Sequence, residues 1–300
     1  MFYKSRTKSK ELITLELLDK RMTLPTDNKR YYLNLKKGYE GEMLFDSHMG
    51  KLQCECLILN DLLLKFNNNT FQLDSLMIAQ GQINVYEVKN QEGDFYYEEE
   101  KFYKKPRIET INPLHQLSRS ESLLRQLLLS LGYKLQINAS VVFVNPNFTL
   151  YQAPLDKPII FPTQLDQYMN HLNAIPSRLT ENHKRLADQL LASHITDSPF
   201  SKLPSYDYNQ LRKGITCSEC RSFSALTTKK KYICNTCQHQ ELLNDAVLRN
   251  IKEFRFLFPD KKVTTNIIYD WCQIVPKRRI RNILLHNFTK IGANRWSYFE

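Results

Sequence analysis

The sequence predicts an α/β domain, followed by a small β unit held by cysteines and then a helical C-terminal unit. Three observations carry that expectation. Two apolar, β-branched runs, residues 71–78 and 83–88, flank the short turn Ala79-Gln80-Gly81-Gln82 and are set among helical stretches. Two Cys-x-x-Cys pairs follow, at Cys217/Cys220 and Cys234/Cys237. From residue 242 the apolar positions Val247, Ile251, Phe254 and Phe258 recur at helical spacing.

Taken in order, residues 10–21 read as a helix expected to pack on the core of the first domain. That core spans about 38–170. It holds a helix, three strands, a helix over 112–131 and a strand over 140–144, with helices over 163–174 and 180–192 completing the domain. Residues 193–210 are polar, with Pro199 and Pro204, and read as a linker. The expected bounds are therefore 1–192, a linker over 193–210, the cysteine unit over 211–241 and the helical unit over 242–300.

With a two-residue turn at Gln80 and Gly81, Asp74 faces Glu87 directly, their Cβ atoms about 5 Å apart. The strand period puts Lys89 on the face of Glu87. Two carboxylates and an ammonium suit a hard divalent cation and the hydrolysis of a phosphodiester, with the Val88 carbonyl as a further ligand. A surface hairpin whose Asp–Glu repulsion is relieved by Lys89, or a register in which they never meet, is the plain alternative. Upstream, Glu40 and Glu42 compete for a place on a helix whose buried side is marked by Met43, Leu44, Phe45 and Met49.

These residues resemble a known family. Asp74, then Glu87-Val88-Lys89 across a hairpin, resembles the PD-(D/E)xK core of restriction-endonuclease-like nucleases. Gly38-Tyr39-Glu40-Gly41-Glu42, Phe71-Gln72-Leu73-Asp74, Glu87-Val88-Lys89-Asn90 with Gly93, and Asn112-Pro113-Leu114-His115-Gln116 resemble the nuclease-related domain (NERD) of bacterial proteins, over roughly residues 10–170. The resemblance implies a restriction-endonuclease-like mixed sheet flanked by helices. It makes Glu42 the acid of the first core helix, Asp74 and Glu87 ligands of Mg²⁺ or Mn²⁺, Lys89 the catalytic lysine and Gln116 an orienting residue. The activity it implies is a metal-dependent (endo)deoxyribonuclease. A nucleic-acid-binding protein that keeps the fold without cleaving, and an RNA-directed nuclease, stay open beside it.

Each cysteine pair can present two thiolates to one cation, and thirteen residues separate the pairs, which is zinc-ribbon spacing. Zinc held by Cys217, Cys220, Cys234 and Cys237 would be structural. Two disulfides are the alternative, and His239 is a possible substitute ligand. Cys54, Cys56 and Cys272 read as free thiols, with Cys54-x-Cys56 as a conceivable redox pair.

In the last unit, Thr264 or Thr265 caps a second helix through Trp271, and Pro276 opens a third over 277–288. A hairpin around Gly292-Ala293-Asn294 completes a (winged) helix-turn-helix-like pattern. Lys277, Arg278, Arg279 and Arg281 would then contact DNA; a helical cap with a solvated charged face is the alternative.

Composition favours a polyanionic partner: 42 Lys+Arg against 31 Asp+Glu give a formal net charge of +11 and a pI near 9.2. Tyr96-Tyr97 and Phe102-Tyr103 could stack unpaired bases, although a core role is preferred. No apolar run is long enough for a membrane span, the start lacks the apolar core of a signal peptide, and free cysteines suit a cytoplasmic protein. A homodimer is compatible with cleavage of both strands.

Overall fold

The computed structural model describes residues 1–196, 202–293 and 297–300. In chain order its elements begin with β1 (Phe2–Lys4), α1 (Lys10–Arg21), α2 (Thr26–Met49), β2 (Leu57–Phe66), β3 (Asn69–Ala79) and β4 (Gln82–Lys89). There follow β5 (Gly93–Glu98), β6 (Lys101–Lys104), β7 (Ile108–Thr110), α3 (Pro113–Ser130), β8 (Gln136–Phe143), β9 (Phe148–Tyr151) and β10 (Ile159–Ile160). A 3₁₀ turn leads into α4 (Leu165–Ala174) and α5 (Glu181–Ala192). The remainder is β11 (Ala225–Thr227), β12 (Lys231–Cys234), β13 (Gln240–Leu242), α6 (Leu243–Leu257), α7 (Thr265–Cys272), α8 (Lys277–Asn287), β14 (Lys290–Ile291) and β15 (Tyr298–Phe299). Among the described residues no helix is long and apolar enough to cross a membrane.

The chain forms two compact units. The first, residues 1–9 and 33–201 in sequence, is built on a six-stranded sheet of order β1-β2-β3-β4-β8-β10. Its β2, β3 and β4 run antiparallel, and β8 joins β4 in parallel, so the sheet is mixed. The β3–β4 turn takes two residues, with Gly81 at φ 77°, a conformation glycine adopts without strain. Strand alternation sends Leu73, Ile83 and Val85 into one core with Leu124 and Leu128 of α3 and Leu186 and Leu190 of α5. The other face packs Met77, Tyr86 and Val88 against Phe45 and Met49 of α2 and Met169 of α4. Met43 and Leu44 are exposed rather than buried, because three consecutive residues cannot share one face of a helix. A second sheet, β7-β6-β5-β9, covers its own core of Phe95, Phe102, Phe143 and Phe148.

The second unit takes residues 10–32 and 202–300. Here the expectation for residues 10–21 is corrected: α1 groups with the second unit and packs with α6. Its last residue decides this. Arg21 is buried, ion-paired with Glu253 and hydrogen-bonded to Asn250 at 3.1 Å, and its guanidinium stacks 3.9 Å from the Trp271 ring centroid. The second half of the expected linker is also structured. The Tyr206 ring lies against Phe258, and Tyr208 stacks on Trp271 at 5.8 Å with its hydroxyl donating to Asp270. Pro199 lies outside the described residues, as does Asn294 of the expected C-terminal turn. Thr264 is the cap of α7, its hydroxyl accepting from the Ile267 N–H at 3.2 Å.

Candidate active site

The β3–β4 ladder has the register expected from the two-residue turn and runs from Ala79↔Gln82 to Ser75↔Tyr86. One step further, at Asp74 and Glu87, backbone pairing ceases. The Asp74 side chain instead accepts the Val88 N–H at 2.8 Å, taking the place of a ladder bond. In a strand a residue's N–H and C=O point to the same side, so the Val88 carbonyl is directed toward Asp74 as well. Both carboxylates are deeply buried, Asp74 at 7% and Glu87 at 3% exposure.

A break in β2 lies opposite. The β2–β3 register skips from Asn60↔Ser75 to Leu62↔Leu73, and the intervening Asp61 takes φ 52°. The Lys4 ammonium bonds the carbonyls of Asn60 and Asp61 at 2.7 and 2.9 Å and holds that irregular backbone.

Of the two candidate helix acids, Glu42 is the one paired with Arg6, which also reaches the Asp74 backbone. Glu40 is exposed and faces Lys36 at 3.8 Å, whereas Glu42 accepts from Arg6 at 2.7 Å. Gly41 explains how α2 comes so close. A Cβ there would stand 2.3 Å from Asn90 Cβ, the residue after Lys89, while the Asn90 amide donates to the Lys37 carbonyl at 2.7 Å. Gly41→Ala on a free helix surface would gain about 1 kcal/mol in propensity. At this contact it is expected to destabilise instead and to lower any activity of the site, as a urea titration beside a cleavage assay would show.

Lys89 lies between two partners. Its ammonium donates to Glu87 at 2.6 Å and to the side-chain oxygen of Gln116 at 3.1 Å. Gln116 is placed by the first turns of α3, where Asn112 caps the Leu114 N–H at 2.9 Å and Leu117 is buried behind it.

Three residues near the acids escaped the sequence reading. Arg6 donates to both Asp46 oxygens, at 2.9 and 3.1 Å, and to the Asp74 carbonyl at 2.7 Å, besides its bond to Glu42. Asp46 follows Glu42 by four residues, and that i, i+4 acidic pair on one helix face was the available signal. Asp61 adds a further negative charge. No sequence signal points to Arg6, which stands among the exposed-looking bases Lys4, Lys8 and Lys10.

Burial, with the neighbouring Asp74 charge, pushes the Glu42 carboxyl up to about 8 and that of Glu87 up to about 7. Burial pushes Asp74 up as well. In an unfolded chain such carboxyls titrate near 4. Between those limits the folded protein holds more protons than the unfolded one, so stability without a divalent cation falls as pH rises from about 4.5 toward about 8. The expected result is a lower urea midpoint at about pH 8 than at about pH 5, a gap that narrows in Glu87→Gln and on adding Mg²⁺. A gap unchanged by both would contradict the reading.

The donor set fits a hard cation. Four carboxylates, Glu42, Asp46, Asp74 and Glu87, face the two cations Arg6 and Lys89, and burial raises the proton affinity of Glu42, Asp74 and Glu87. Carboxylate and carbonyl oxygens are the ligands Mg²⁺ and Mn²⁺ prefer. In this conformation the acids do not form a closed cage. Among the described residues only the four cysteines bring three or more His, Cys, Asp or Glu ligand atoms within 4.8 Å of one another.

Residues 37–144 match the family model of the nuclease-related domain, NERD. Glu42, Asp74, Glu87, Lys89 and Gln116 all lie within the NERD segment. No curated protein matches the chain. A solved structure, the crystal structure of protein VC1899 from Vibrio cholerae, is 16% identical over 50% of this chain and 36% of that one, with a TM-score of 0.24. The chain thus spans about a third of the length of that protein.

Outside the NERD segment, the cysteines converge as their spacing predicts. Cys217 and Cys237 sulfurs lie 3.6 Å apart and those of Cys220 and Cys234 3.4 Å apart. Four sulfurs around one zinc at about 2.3 Å would stand roughly 3.8 Å from one another, so the cluster needs little adjustment to hold it. The N–H groups of Cys237 and Thr236 help draw the Cys234 thiol down to about 6. Each pair sits on a turn beside the antiparallel β11-β12-β13 sheet. His239 stays at the backbone level, its carbonyl accepting from the Cys234 N–H at 2.9 Å, and is not in the cluster.

On α8, Lys277, Arg278 and Arg281 are exposed. Arg279 is engaged within the unit: it donates to the Lys229 carbonyl and, through two nitrogens, to Asn244 at 3.0 and 3.3 Å. It ties the ribbon turn to the start of α6. A cavity of about 590 Å³ beside it is lined by Asn244, Arg278, Asn282 and His286 among others.

Proposed function

We propose that this chain is a metal-dependent nuclease that hydrolyses DNA phosphodiester bonds, on a restriction-endonuclease-like fold. The observation that carries the reading is the grouping of Asp74, Glu87 and Lys89 where the β3–β4 ladder ends, inside a segment that matches a nuclease-related family. Glu42, Asp74, Glu87 and the Val88 carbonyl are the residues that would hold Mg²⁺ or Mn²⁺. The cation would supply charge neutralisation on the phosphate and a lowered pKa for bound water. Lys89 would be placed to orient a water or to meet charge growing on the phosphate oxygens, and Gln116 restrains the ammonium through its side-chain oxygen. Arg6 keeps Glu42 and Asp46 paired while the acids stand close together.

The C-terminal unit serves delivery in this reading. Its three helices and the β14–β15 pair act as a winged helix-turn-helix-like module, and Lys277, Arg278 and Arg281 meet phosphates. The four cysteines hold structural zinc. Arg279 is expected to affect this surface through stability, so Arg279→Ala should lower the unfolding midpoint, whereas Arg278→Ala and Arg281→Ala each reduce the salt dependence of DNA binding by about one ion.

The deciding experiment incubates the zinc-loaded protein with supercoiled and linear DNA in Mg²⁺ or Mn²⁺, beside Asp74→Asn and Lys89→Ala. Nicking that requires the cation and falls at least about a hundredfold in both variants supports the nuclease. A second reading, a nucleic-acid-binding protein without cleavage, draws on the pairing of the acids with Arg6 and Lys89. It would be favoured by binding that is unchanged in both variants with no product formed.

A further inference from the structure

The four-stranded sheet of the first unit carries a row of tyrosines whose register the sequence did not disclose. Tyr96 of β5 pairs with Tyr103 of β6 across an antiparallel ladder and with Tyr151 of β9 across a parallel one. Strand alternation places all three on one face. The opposite face is the one that builds the core, through Phe95, Phe102 and Phe148. The expectation that these aromatics are core therefore divides: Phe102 is fully buried and Tyr97 packs edge-on against it, while Tyr96 and Tyr103 belong to the outer face.

The rings are arranged rather than scattered. Tyr96 and Tyr103 stack with centroids 5.1 Å apart and 15° between their planes. Tyr151 is 44% exposed, and the Lys105 ammonium lies 3.7 Å from its ring centroid. Lys105 follows Tyr103 by two residues and Lys101 precedes it by two, so exposed lysines flank the row on both sides. Acids are present too. Glu98 and Glu100 at the β5–β6 turn face Arg107 at 3.9 Å and Lys157 at 3.6 Å, Glu109 faces Lys101 at 3.4 Å, and Asp94 lies near the Tyr151 hydroxyl. Among the described residues no ion pair engages Lys105, so its ammonium stands at the Tyr151 end with Asp94 also near that ring.

We propose that this face binds single-stranded DNA, with unpaired bases stacking on Tyr96, Tyr103 and Tyr151 and the adjoining phosphates meeting Lys105. A four-stranded sheet bearing aromatic residues is a form in which two or three unpaired bases are stacked side by side. Such stacking is indifferent to sequence, because every base has a π face. Duplex DNA keeps its bases stacked inside and cannot use the rings. The row spans two strand spacings, about 10 Å, which suits a short unpaired stretch rather than a whole duplex.

The position of the row joins it to the acidic site. Asn90, Gln91 and Glu92 alone separate Lys89 from β5. Tyr96 is seven residues from Lys89, so at most about 25 Å of extended chain lies between them. A strand held on the tyrosines would thus lie within about 25 Å of Lys89. The inference rests on the nuclease reading only for nucleic acid as the ligand class, and it is tested by binding, not cleavage.

The test measures fluorescence anisotropy of labelled oligo-dT, oligo-rU and a DNA duplex with the full chain, without added Mg²⁺ or Mn²⁺. The proteins are the wild type, the Tyr96→Ala/Tyr103→Ala pair, the Tyr96→Phe/Tyr103→Phe pair and Lys105→Gln. The alanine pair is expected to weaken oligo-dT binding by at least about tenfold and to leave duplex binding unchanged. The phenylalanine pair, which keeps the rings, should bind as the wild type does. Lys105→Gln leaves every tyrosine in place and should lower the salt slope for oligo-dT by about one, so the proposal stays testable if the alanine pair misfolds. Unchanged oligo-dT affinity in folded alanine variants, or an equal loss for duplex, would overturn the proposal. Tighter wild-type binding of oligo-rU than of oligo-dT would overturn the assignment to DNA. Absence of any wild-type cleavage in the assay proposed above, with these binding results intact, would sink the nuclease and keep the platform.

Discussion

Stripping zinc from the four-cysteine site, or changing Cys217→Ser, is expected to unfold the ribbon and leave the helices behind it packed. Strands β11, β12 and β13 are three or four residues long, and Tyr232, Cys217 and Cys234 supply much of what they bury. A unit of this size cannot form a sufficient core by itself. Binding of structural zinc contributes about 10–16 kcal/mol in such sites, comparable to the whole stability of a domain. Helices α6, α7 and α8 have their own core in Ile251, Phe254, Trp271, Ile280 and Leu284, all without exposure, so they should persist. Hydrogen exchange read beside zinc content checks this: residues 217–242 should lose protection on chelation, and residues 246–284 should keep most of theirs. Around Arg279 exchange should rise, because its Lys229 carbonyl partner moves with the ribbon. Protection that survives complete removal of zinc would show that the ribbon does not depend on the metal.

Arg6→Ala is expected to cost about 3–5 kcal/mol, among the largest effects of a single substitution in the first unit. The Arg6 side chain is 1% exposed and makes charge-assisted bonds to Asp46 and Glu42, plus one to the Asp74 carbonyl. Removing it leaves two largely buried carboxylates without their counter-ion and frees the backbone that carries Asp74. Arg6→Lys retains the charge but not the planar fork that meets both Asp46 oxygens, so an intermediate loss is expected. Urea unfolding of the three proteins, with Glu42→Gln/Arg6→Ala as a fourth, separates charge from packing. If the paired charge dominates, neutralising Glu42 recovers part of what Arg6→Ala loses. An Arg6→Ala protein as stable as the wild type would show that the arginine is dispensable to the acidic group.

The hairpin that carries the acids was legible because strand alternation and a two-residue turn fix register arithmetically. The two-residue turn with Gly81 at positive φ sets the register Ser75↔Tyr86, and Asp74 and Glu87 fall at the next step. The four cysteines were legible because two Cys-x-x-Cys turns admit few geometries around one cation. Other features were not open to such reasoning. Whether Glu40 or Glu42 faces the acids depends on where α2 touches the sheet, and that contact is set by Gly41 against Asn90. The assignment of residues 10–21 to the core of the first domain failed because an amphipathic helix carries no address: Glu253, Asn250 and Trp271, more than two hundred residues away, bind Arg21.

The sequence alone determined the α/β character, the opposed acids with Lys89, the thiolate cluster and the capped helices of the C-terminal unit. Each depends on residues close in the chain, where local periodicity and turn chemistry dictate geometry. Tertiary structure decided that Arg6 and Asp46 join the acids, that α1 belongs with α6, and that three tyrosines from three strands share one row. Those outcomes depend on which faces meet across long intervals of chain, and single-residue alternation is silent about strand order: Tyr151 lies beside Tyr96 only because β9 runs parallel to β5.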